Sequence, residues 1–487
     1  MHRIKQAFLA LLLALPLLLF IQFNHHPVAE PLLKGYFTRE PVPDPDYFTW
    51  KRWFSGDFQQ VFTTRLNDHA GFRNTLVRIR NQYDYSLFGM INAAGFLKGR
   101  NGYLFEEDYI HEYTGACFVG ERTIDRKLSR LKNVSDSLAA HHIPLVLVFE
   151  PGKASFFPEY IPRRFHPVTR SLSNYDYFIK RSAELGLNFL DLNLLFMQMK
   201  DTARHPLFPR YGMHWSLYGA CIAADRLAEH VGKATGSPMP SFKPSRLMPV
   251  ACSPGTDYDI GDLMNLVCPL PSTTGVYPVV PFGAMPPGTL STLIVADSYY
   301  VNLVESYGTK MFGRQDYWYY NSSRYPHQND IPPVRIDKAG LREKLLAYDV
   351  VLLMVSEINL HCCFWNFADE AFLAFHPGVR DTHLDRIGNT IRIDRDWFRF
   401  MVKKSKEHRR PLDEVIAGDA AYTFLSDFDN LPDKGRMDSV HYIRLNIRNN
   451  PDWMANVTRK AGELKIPIDS MMLLDAIYSY DQSKKKR

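Results

Sequence analysis

The chain has 487 residues, of which 46% are hydrophobic and 23% are charged, a composition typical of folded globular proteins. The formal net charge of +6 is spread along the chain, and its densest basic cluster is residues 484–487. This distribution argues against a dedicated nucleic-acid-binding protein, because such proteins concentrate basic residues on one face.

The first 24 residues are typical of an export segment. His2, Arg3 and Lys5 precede an apolar run over residues 7–21 that contains no polar side chain. The run is shorter than the roughly twenty residues of a comfortable membrane span, and no good small-x-small cleavage site follows it. We therefore expect residues 1–24 to form an uncleaved N-terminal anchor, with a cleaved signal as the alternative. In both cases the body of the protein is exported.

The six cysteines suit an exported protein but do not form a dense disulfide framework. Cys252 and Cys268 flank a Gly- and Asp-rich segment and are the first candidate pair, and Cys117 could pair with Cys362 or Cys363. The sequence contains neither a Cys-x-x-Cys pair nor a His-Glu-x-x-His motif. It therefore predicts no metal site.

Hydrophobic patterning divides the rest of the chain into three parts. Residues 25–95 combine a proline-rich spacer with covering helices. Over residues 96–376 amphipathic helices alternate with buried strands, as where the helical stripe of residues 124–138 leads into the strand 143–149. Such alternation predicts a mostly parallel sheet with helices on both faces. Residues 377–487 keep helical spacing, which predicts a helical C-terminal extension.

Polar side chains stand where this predicted sheet should bind ligands. Ser298 and Glu357 each end an apolar strand, and His214 precedes a helix. The carboxyl ends of parallel strands share one edge, at which α/β folds bind ligands. A serine needs a nearby base to act as a nucleophile, so we predict Ser298 as nucleophile and His214 as general base. A structural helix cap is the alternative role for Ser298.

Neighbouring residues supply candidate substrate contacts. The backbone N–H of Tyr299 and the side-chain amide of Asn321 are candidates for stabilising an oxyanion. Trp215 can wall a cleft beside the histidine, and Lys153 follows another strand end. A Pro- and Gly-rich excursion contains the acidic segment 257–262, which lacks the closing Glu of a calcium loop and is predicted to form solvated turns.

At these positions the chain resembles the periplasmic alginate O-acetyltransferase family, whose members have an SGNH-hydrolase-like fold. The motifs are Pro151-Gly152-Lys153 with Pro158-Glu159-Tyr160-Ile161-Pro162, Met213-His214-Trp215-Ser216 with Gly219-Ala220, and Ala296-Asp297-Ser298-Tyr299. As in that family, the histidine motif precedes the serine motif. The resemblance covers residues 96–375 and implies a three-layer α/β sandwich with a mostly parallel sheet.

The resemblance also implies a function. The protein would be an O-acetyltransferase that carries acetyl on Ser298 and passes it to hydroxyls of an exported or cell-surface bacterial polysaccharide, with no metal or diffusible cofactor. It would act at the periplasmic face of the inner membrane, and a membrane-embedded acyltransferase would supply the acetyl groups. An acetyl esterase with the same site and a non-catalytic glycan-binding scaffold of a polysaccharide export complex are the alternatives.

One position departs from the family motif. The family has an Asp two residues before the histidine, whereas this chain has Gly212. Three explanations stay open. A backbone carbonyl could orient His214 in a Ser–His dyad, another acid such as Glu357 or Asp191 could replace the Asp, or the site could be degenerate and only bind glycan.

Overall fold

The computed structural model describes residues 2–35, 47–250, 255–271, 273, 275–282, 289–325 and 334–485. The strands are β1 (Phe96–Lys98), β2 (Leu104–Glu106), β3 (Leu145–Glu150), β4 (Phe189–Asp191), β5 (Arg246–Val250), β6 (Gly275–Val279), β7 (Ser291–Ala296), β8 (Arg314–Tyr319), β9 (Ser323–Arg324) and β10 (Val350–Ser356).

The helices of the N-terminal half are α1 (His2–His25), α2 (Trp50–Ser55), α3 (Asp57–His69), α4 (Arg73–Phe88), α5 (Glu107–Thr114), α6 (Glu121–Ala139), α7 (Lys153–Phe156), α8 (Asn174–Glu184), α9 (Leu192–Met199) and α10 (Leu217–Thr235). Those that follow are α11 (Asp259–Leu263), α12 (Tyr299–Leu303), α13 (Thr309–Met311), α14 (Leu341–Leu345), α15 (Phe367–Phe375), α16 (His383–Ile393), α17 (Arg395–His408), α18 (Leu412–Asp427), α19 (Arg436–Asn449), α20 (Pro451–Leu464) and α21 (Ile468–Lys485).

Within the described residues the central sheet has six strands, in the order β4-β3-β10-β7-β8-β9. All neighbouring pairs are parallel except β8 and β9, which are antiparallel. Strands β3 and β10 are buried along their whole length, and β7 is buried after its first residue. Strands covered on both faces are nearly continuous apolar runs, which is why they are evident in the sequence. The prediction of a mostly parallel α/β sheet is confirmed.

Helices cover both faces of this sheet, so that the domain has three layers. Alternate residues of β3 enter different cores: Leu147 and Phe149 pack on one face with α6 and α8, and Val146 and Val148 pack on the other with α10 and α12. Burying one such side chain is worth about 1.5–3 kcal/mol. The two cores together hold the carboxyl ends of the strands in a fixed register.

The C-terminal part is helical from α15 onward in the described residues. Helices α16 to α18 belong to the main core, to which they contribute Ile391, Phe398 and Ile416. Helices α19 to α21 instead enclose a smaller cluster of their own, which contains Val440 and Val457. Part of the C-terminal region is therefore packed against the same face of the sheet as α6 and α8.

The Pro- and Gly-rich excursion is more ordered than its sequence suggests. Strands β5 and β6 pair in antiparallel fashion across it, and α11 begins at Asp259. Asp257 is only 4% exposed, and burial raises the pKa of its carboxyl to about 7. The prediction of solvated turns at 257–262 is wrong, because this segment packs onto the domain.

The predicted pairing of Cys117 with Cys362 or Cys363 is also wrong, since all three are buried free thiols. Burial raises the pKa of the Cys117 thiol well above its usual value. Cys268, which the sequence pairs with Cys252, is a free and exposed thiol, and Cys252 lies outside the described residues. No helix within the described ranges is both long enough and apolar enough to cross a membrane.

Two glycines in helices test this packing. Gly418 lies on the exposed side of α18, and a Cβ built there meets nothing within 4 Å. Because glycine costs a helix interior about 1 kcal/mol relative to alanine, Gly418→Ala should raise the free energy of unfolding by about that amount. In α10 a Cβ at Gly219 would meet the carbonyl oxygen of Leu207 at 2.6 Å. Gly219→Ala should therefore lower the free energy of unfolding. Urea unfolding curves measure both, and shifts of the same sign would contradict this packing.

Candidate active site

The turn between β7 and α12 carries the predicted nucleophile. Strand β7 ends at Ala296 and α12 begins at Tyr299, which leaves Ser298 in a short turn at the carboxyl edge of the sheet. The Ser298 side chain makes no capping hydrogen bond to α12, so a structural cap does not explain it. Asp297 is fully buried, and its carboxylate accepts a hydrogen bond from the backbone N–H of Ser356 at 2.9 Å. The turn is therefore fastened to the end of β10.

His214 lies directly opposite this serine. Its Nε2 is 2.9 Å from Ser298 Oγ. The histidine is placed by the start of α10, where the Ser216 hydroxyl caps the helix by accepting from the Gly219 N–H at 3.0 Å. The Tyr299 ring packs edge-on against the imidazole, with 5.0 Å between ring centroids. The structure thus brings together the two residues that the sequence predicted as base and nucleophile.

The other imidazole nitrogen is held by an acid that the sequence did not predict. His214 Nδ1 is 2.7 Å from Asp259 Oδ2. The second oxygen of Asp259 accepts the backbone N–H groups of Met213 at 2.8 Å and Ile260 at 2.7 Å. Since a carboxylate can only accept, Nδ1 carries the proton and Nε2 is left to accept from Ser298. Serine, histidine and aspartate therefore form a hydrogen-bonded triad.

Glu357, one predicted orienting acid, does not fill this position. Its carboxylate accepts from the Ser155 hydroxyl at 2.6 Å and from the Asn193 amide at 3.2 Å. Both partners follow the neighbouring strands β3 and β4, on the side of β10 away from β7. Burial raises the pKa of Glu357 to about 7.

Asp191, the other predicted acid, has a structural role. It caps α9 by accepting the Leu194 N–H at 2.8 Å, and it accepts the Tyr175 hydroxyl at 2.9 Å. It is the last residue of β4, which forms one edge of the sheet, and β3 and β10 lie between β4 and β7. The prediction that Glu357 or Asp191 orients His214 is corrected to Asp259.

Gly212 explains how Asp259 reaches the histidine. A Cβ at Gly212 would lie 2.2 Å from the carbonyl oxygen of Thr256 and 3.0 Å from the carbonyl carbon of Asp257. The segment leading to Asp259 therefore packs directly on the backbone of residue 212, in the space that a side chain would fill. The acid missing from the motif is supplied by the segment for which Gly212 makes room. In the sequence its only signal was an acidic cluster within the Pro- and Gly-rich excursion.

Lys153, predicted to contact substrate, lies behind the site. It is fully buried, and its ammonium donates to the carbonyl oxygens of Gly212 at 2.6 Å and Arg210 at 3.1 Å. Burial lowers its pKa to about 7. Lys153 therefore supports the loop before His214 and does not face the cleft.

Two other residues that were predicted to contact substrate instead contact other parts of the protein. Trp215 is fully buried and packs on Phe196 within the core, so it does not wall the cleft. The amide of Asn321 donates to the carbonyl oxygen of Trp365 at 2.8 Å and to Glu370 at 2.9 Å. Because its amide N–H groups already donate to these two acceptors, Asn321 is not the oxyanion donor that its place in the sequence suggested.

Tyr299 lines the cleft but supports the triad in a different way from that predicted. Its backbone N–H donates to Asp297 Oδ1 at 3.0 Å, so it is not available to an oxyanion. Its hydroxyl accepts from the Tyr109 hydroxyl at 2.8 Å and donates to the Met213 carbonyl oxygen at 3.2 Å. These bonds fix the ring that packs against His214.

The triad opens into a cavity of about 910 Å³. At its catalytic end lie His214, Ser298 and Tyr320, a residue that sequence reasoning passed over. Tyr320 lines this cavity together with Ser298, and burial raises the pKa of the Tyr320 hydroxyl well above its usual value. Charged and apolar side chains of α5 and α17 line the distal part. The cavity is far larger than an acetyl group and has room for a bulky acceptor.

The fold and this triad define the class, an α/β protein with a serine-hydrolase type of site. Residues 96–278 match the family described as "SGNH hydrolase-like domain, acetyltransferase AlgX", which confirms the resemblance drawn from the motifs. Similar proteins include the probable alginate O-acetylases AlgJ of Pseudomonas putida, 30% identical over 150 residues, and of Azotobacter vinelandii, 29% identical over 145 residues. These matches cover 31% and 30% of this chain and 37% and 35% of the relatives. The chain thus spans about a third of the length of these relatives.

Solved structures with detectable similarity are more distant. The O-acetyltransferase domain of Pseudomonas putida AlgJ is 20% identical, with 55% of this chain and 92% of that chain covered and a TM-score of 0.34. Bacillus cereus PatB1 is 10% identical, with 54% and 96% covered and a TM-score of 0.36. At these values the assignment of the fold rests on the sheet topology and the family match.

The role of Gly212 can be tested by restoring the family motif. Gly212→Asp should not improve the site, because the new side chain must displace the backbone at Thr256. Overpacking of this kind costs about 1–3 kcal/mol or more. We expect a lower melting temperature and reduced hydrolysis of a chromogenic acetyl ester. Gly378→Ala, where a Cβ meets nothing within 4 Å, is the control. A Gly212→Asp variant with wild-type stability and activity would contradict the packing argument.

Proposed function

We propose that this protein is a serine-dependent O-acetyltransferase that modifies hydroxyl groups of an exported or cell-surface polysaccharide. The observation that carries the proposal is the hydrogen-bonded series Ser298, His214 and Asp259, of which the first two line a large cavity. The match of residues 96–278 to an acetyltransferase family supports it, as do the names of the curated relatives.

In the first half-reaction Ser298 Oγ attacks the carbonyl carbon of the acetyl donor while His214 Nε2 takes the serine proton. Asp259 stabilises the imidazolium that forms. The Tyr320 hydroxyl, which burial keeps protonated, lines the same cavity as Ser298 and would donate to the developing oxyanion. The C–O bond to the donor then breaks, and His214 returns the proton to the leaving group. Ser298 is left as an acetyl ester.

In the second half-reaction a sugar hydroxyl takes the place of the leaving group. His214 Nε2 accepts its proton, the sugar oxygen attacks the acetyl carbon, and the bond to Ser298 Oγ breaks. The proton passes from His214 to the serine, and the acetyl group leaves on the sugar. An esterase would use water in this step. The size of the cavity favours transfer, because it can hold a sugar next to the acetyl-serine.

The two activities are separated by offering the purified protein a chromogenic acetyl ester with and without oligosaccharides. Transfer predicts that acetylated oligosaccharide accumulates at the expense of free acetate, as measured by mass spectrometry. Release of acetate alone, with every oligosaccharide unmodified, would favour the esterase. No release from the ester, together with unchanged polysaccharide acetylation in cells that carry Ser298→Ala, would favour a non-catalytic scaffold.

The identity of the orienting acid gives a sharper prediction. Asp259→Asn should lower kcat by about 10³- to 10⁴-fold, because an amide in this position favours the wrong imidazole tautomer. Glu357→Gln makes the same chemical change at a buried acid that does not touch His214, and its kcat should stay within about threefold of wild type. Steady-state hydrolysis of the acetyl ester measures both.

Ser298→Ala supplies the baseline for this comparison, and circular dichroism melting curves check that each variant is folded. If Glu357→Gln lost activity as severely as Asp259→Asn, the assignment of Asp259 would fail.

We also propose that the body is exported and acts at the periplasmic face of the inner membrane, held by its N-terminal segment. The support is the basic flank and apolar run of residues 1–24. A membrane-embedded acyltransferase would then supply acetyl groups to Ser298. A reporter enzyme that is active only after export, fused behind residue 95, should be active in cells, and an inactive but stable fusion would contradict export.

A further inference from the structure

Glu150 is a buried acid that the mechanism does not use. It is the last residue of β3 and has no exposed surface. Neither of its carboxyl oxygens accepts a hydrogen bond from any donor in the described part of the chain. Other buried acids near the site do have donors, as Glu357 has Ser155 and Asn193. A charged Glu150 would therefore be an uncompensated anion in the core.

The neighbour of Glu150 is a second acid. Glu150 pairs in register with Ser356 of β10, and the N–H and the hydroxyl of Ser356 both donate to Asp297, the residue that precedes the nucleophile. This register places the Glu150 side chain beside Asp297, whose charge acts on it. The hydroxyls of Tyr299 and Tyr317 are the other titratable groups that interact with its charge. No described Lys, Arg or His offsets it. Every titratable group that acts on Glu150 within the described chain is thus neutral or negative.

Asp297 in turn has several donors. Its oxygens accept from the backbone N–H of Ser356 at 2.9 Å, from the Asn359 amide at 2.8 Å and from the Tyr299 N–H at 3.0 Å. Asp297 is therefore the member of the pair whose negative charge is compensated. Two carboxylates in contact cannot both ionise in a buried site, and the one without donors keeps its proton.

We propose that Glu150 is a neutral carboxylic acid whose O–H donates to Asp297, and that this bond makes it a positioning residue for Ser298. A protonated carboxyl is both donor and acceptor, so the bond satisfies the otherwise orphaned oxygens. The bond ties the end of β3 to the turn after β7, across the intervening β10. The positioning role rests on the proposed function of Ser298, whereas the protonation state does not.

The proposed bond between Glu150 and Asp297 predicts how the stability of the protein depends on pH. Burial, followed by the charge of Asp297, raises the pKa of Glu150 well above its usual value. Above pH 4.3, the approximate ordinary pKa of Glu, the unfolded chain has released this proton and the folded chain retains it. The contribution of Glu150 to stability therefore falls as the pH rises toward the folded pKa. Glutamine donates the same hydrogen bond without titrating and should remove this slope.

The experiment compares Glu150→Gln and Glu150→Leu in the full chain. Acetyl-ester hydrolysis and urea unfolding are measured from acid to alkaline pH. We expect Glu150→Gln to keep kcat within about threefold of wild type and to flatten the decline of stability with pH. We expect Glu150→Leu to lower kcat at least about tenfold with little change in KM, because the Asp297 turn loses its donor.

An infrared difference spectrum, wild type minus Glu150→Gln, adds a direct readout and needs no activity. A protonated-carboxyl C=O band at neutral pH is expected, and its absence overturns the proposal even if Glu150→Leu fails to fold. A Glu150→Gln variant with the same pH slope as wild type also overturns it. If Ser298→Ala were as active as wild type, the proposed function would fail, whereas the band and the slope would still test the acid pair.

Discussion

The site depends on one hydrogen bond, between the Asp259 carboxylate and Nδ1 of His214. It fixes the tautomer, so that Nε2 faces Ser298 as an acceptor. That bond forms only because the backbone before Asp259 lies against Gly212, closer than any side chain at residue 212 would permit. Gly212 looks like the loss of a catalytic acid, but its missing side chain is what allows another segment to supply that acid.

Beneath the triad, the carboxyl edge of the sheet is built from buried polar groups that hold one another. Asp297 fastens the Ser298 turn to β10, and Lys153 binds the carbonyl oxygens of the loop before His214. In a low-dielectric interior such groups are strongly stabilising when satisfied and costly when not. The positions of Ser298 and His214 are therefore set by residues that do not face the cleft.

The C-terminal helices also help to build the site. Helices α16 to α18 share the main core, and α17 turns one side toward the cavity, where Arg395, Phe398 and Arg399 line the wall. The matched family region ends at residue 278, so this wall lies outside it. The part of the cleft that would meet an acceptor is therefore shaped partly by residues of the C-terminal half.

The sequence by itself determined the parallel sheet, most helix positions and the two side chains that meet at its carboxyl edge, Ser298 and His214. These are local signals: continuous apolar runs mark strands buried on both faces, and polar residues at their ends mark the carboxyl edge. Only the tertiary structure decided that Asp259 orients His214 across 45 residues of sequence, and that the Asn321 amide is committed to Trp365 and Glu370. Which acid meets which base depends on how loops pack, and no periodicity in the chain encodes that choice.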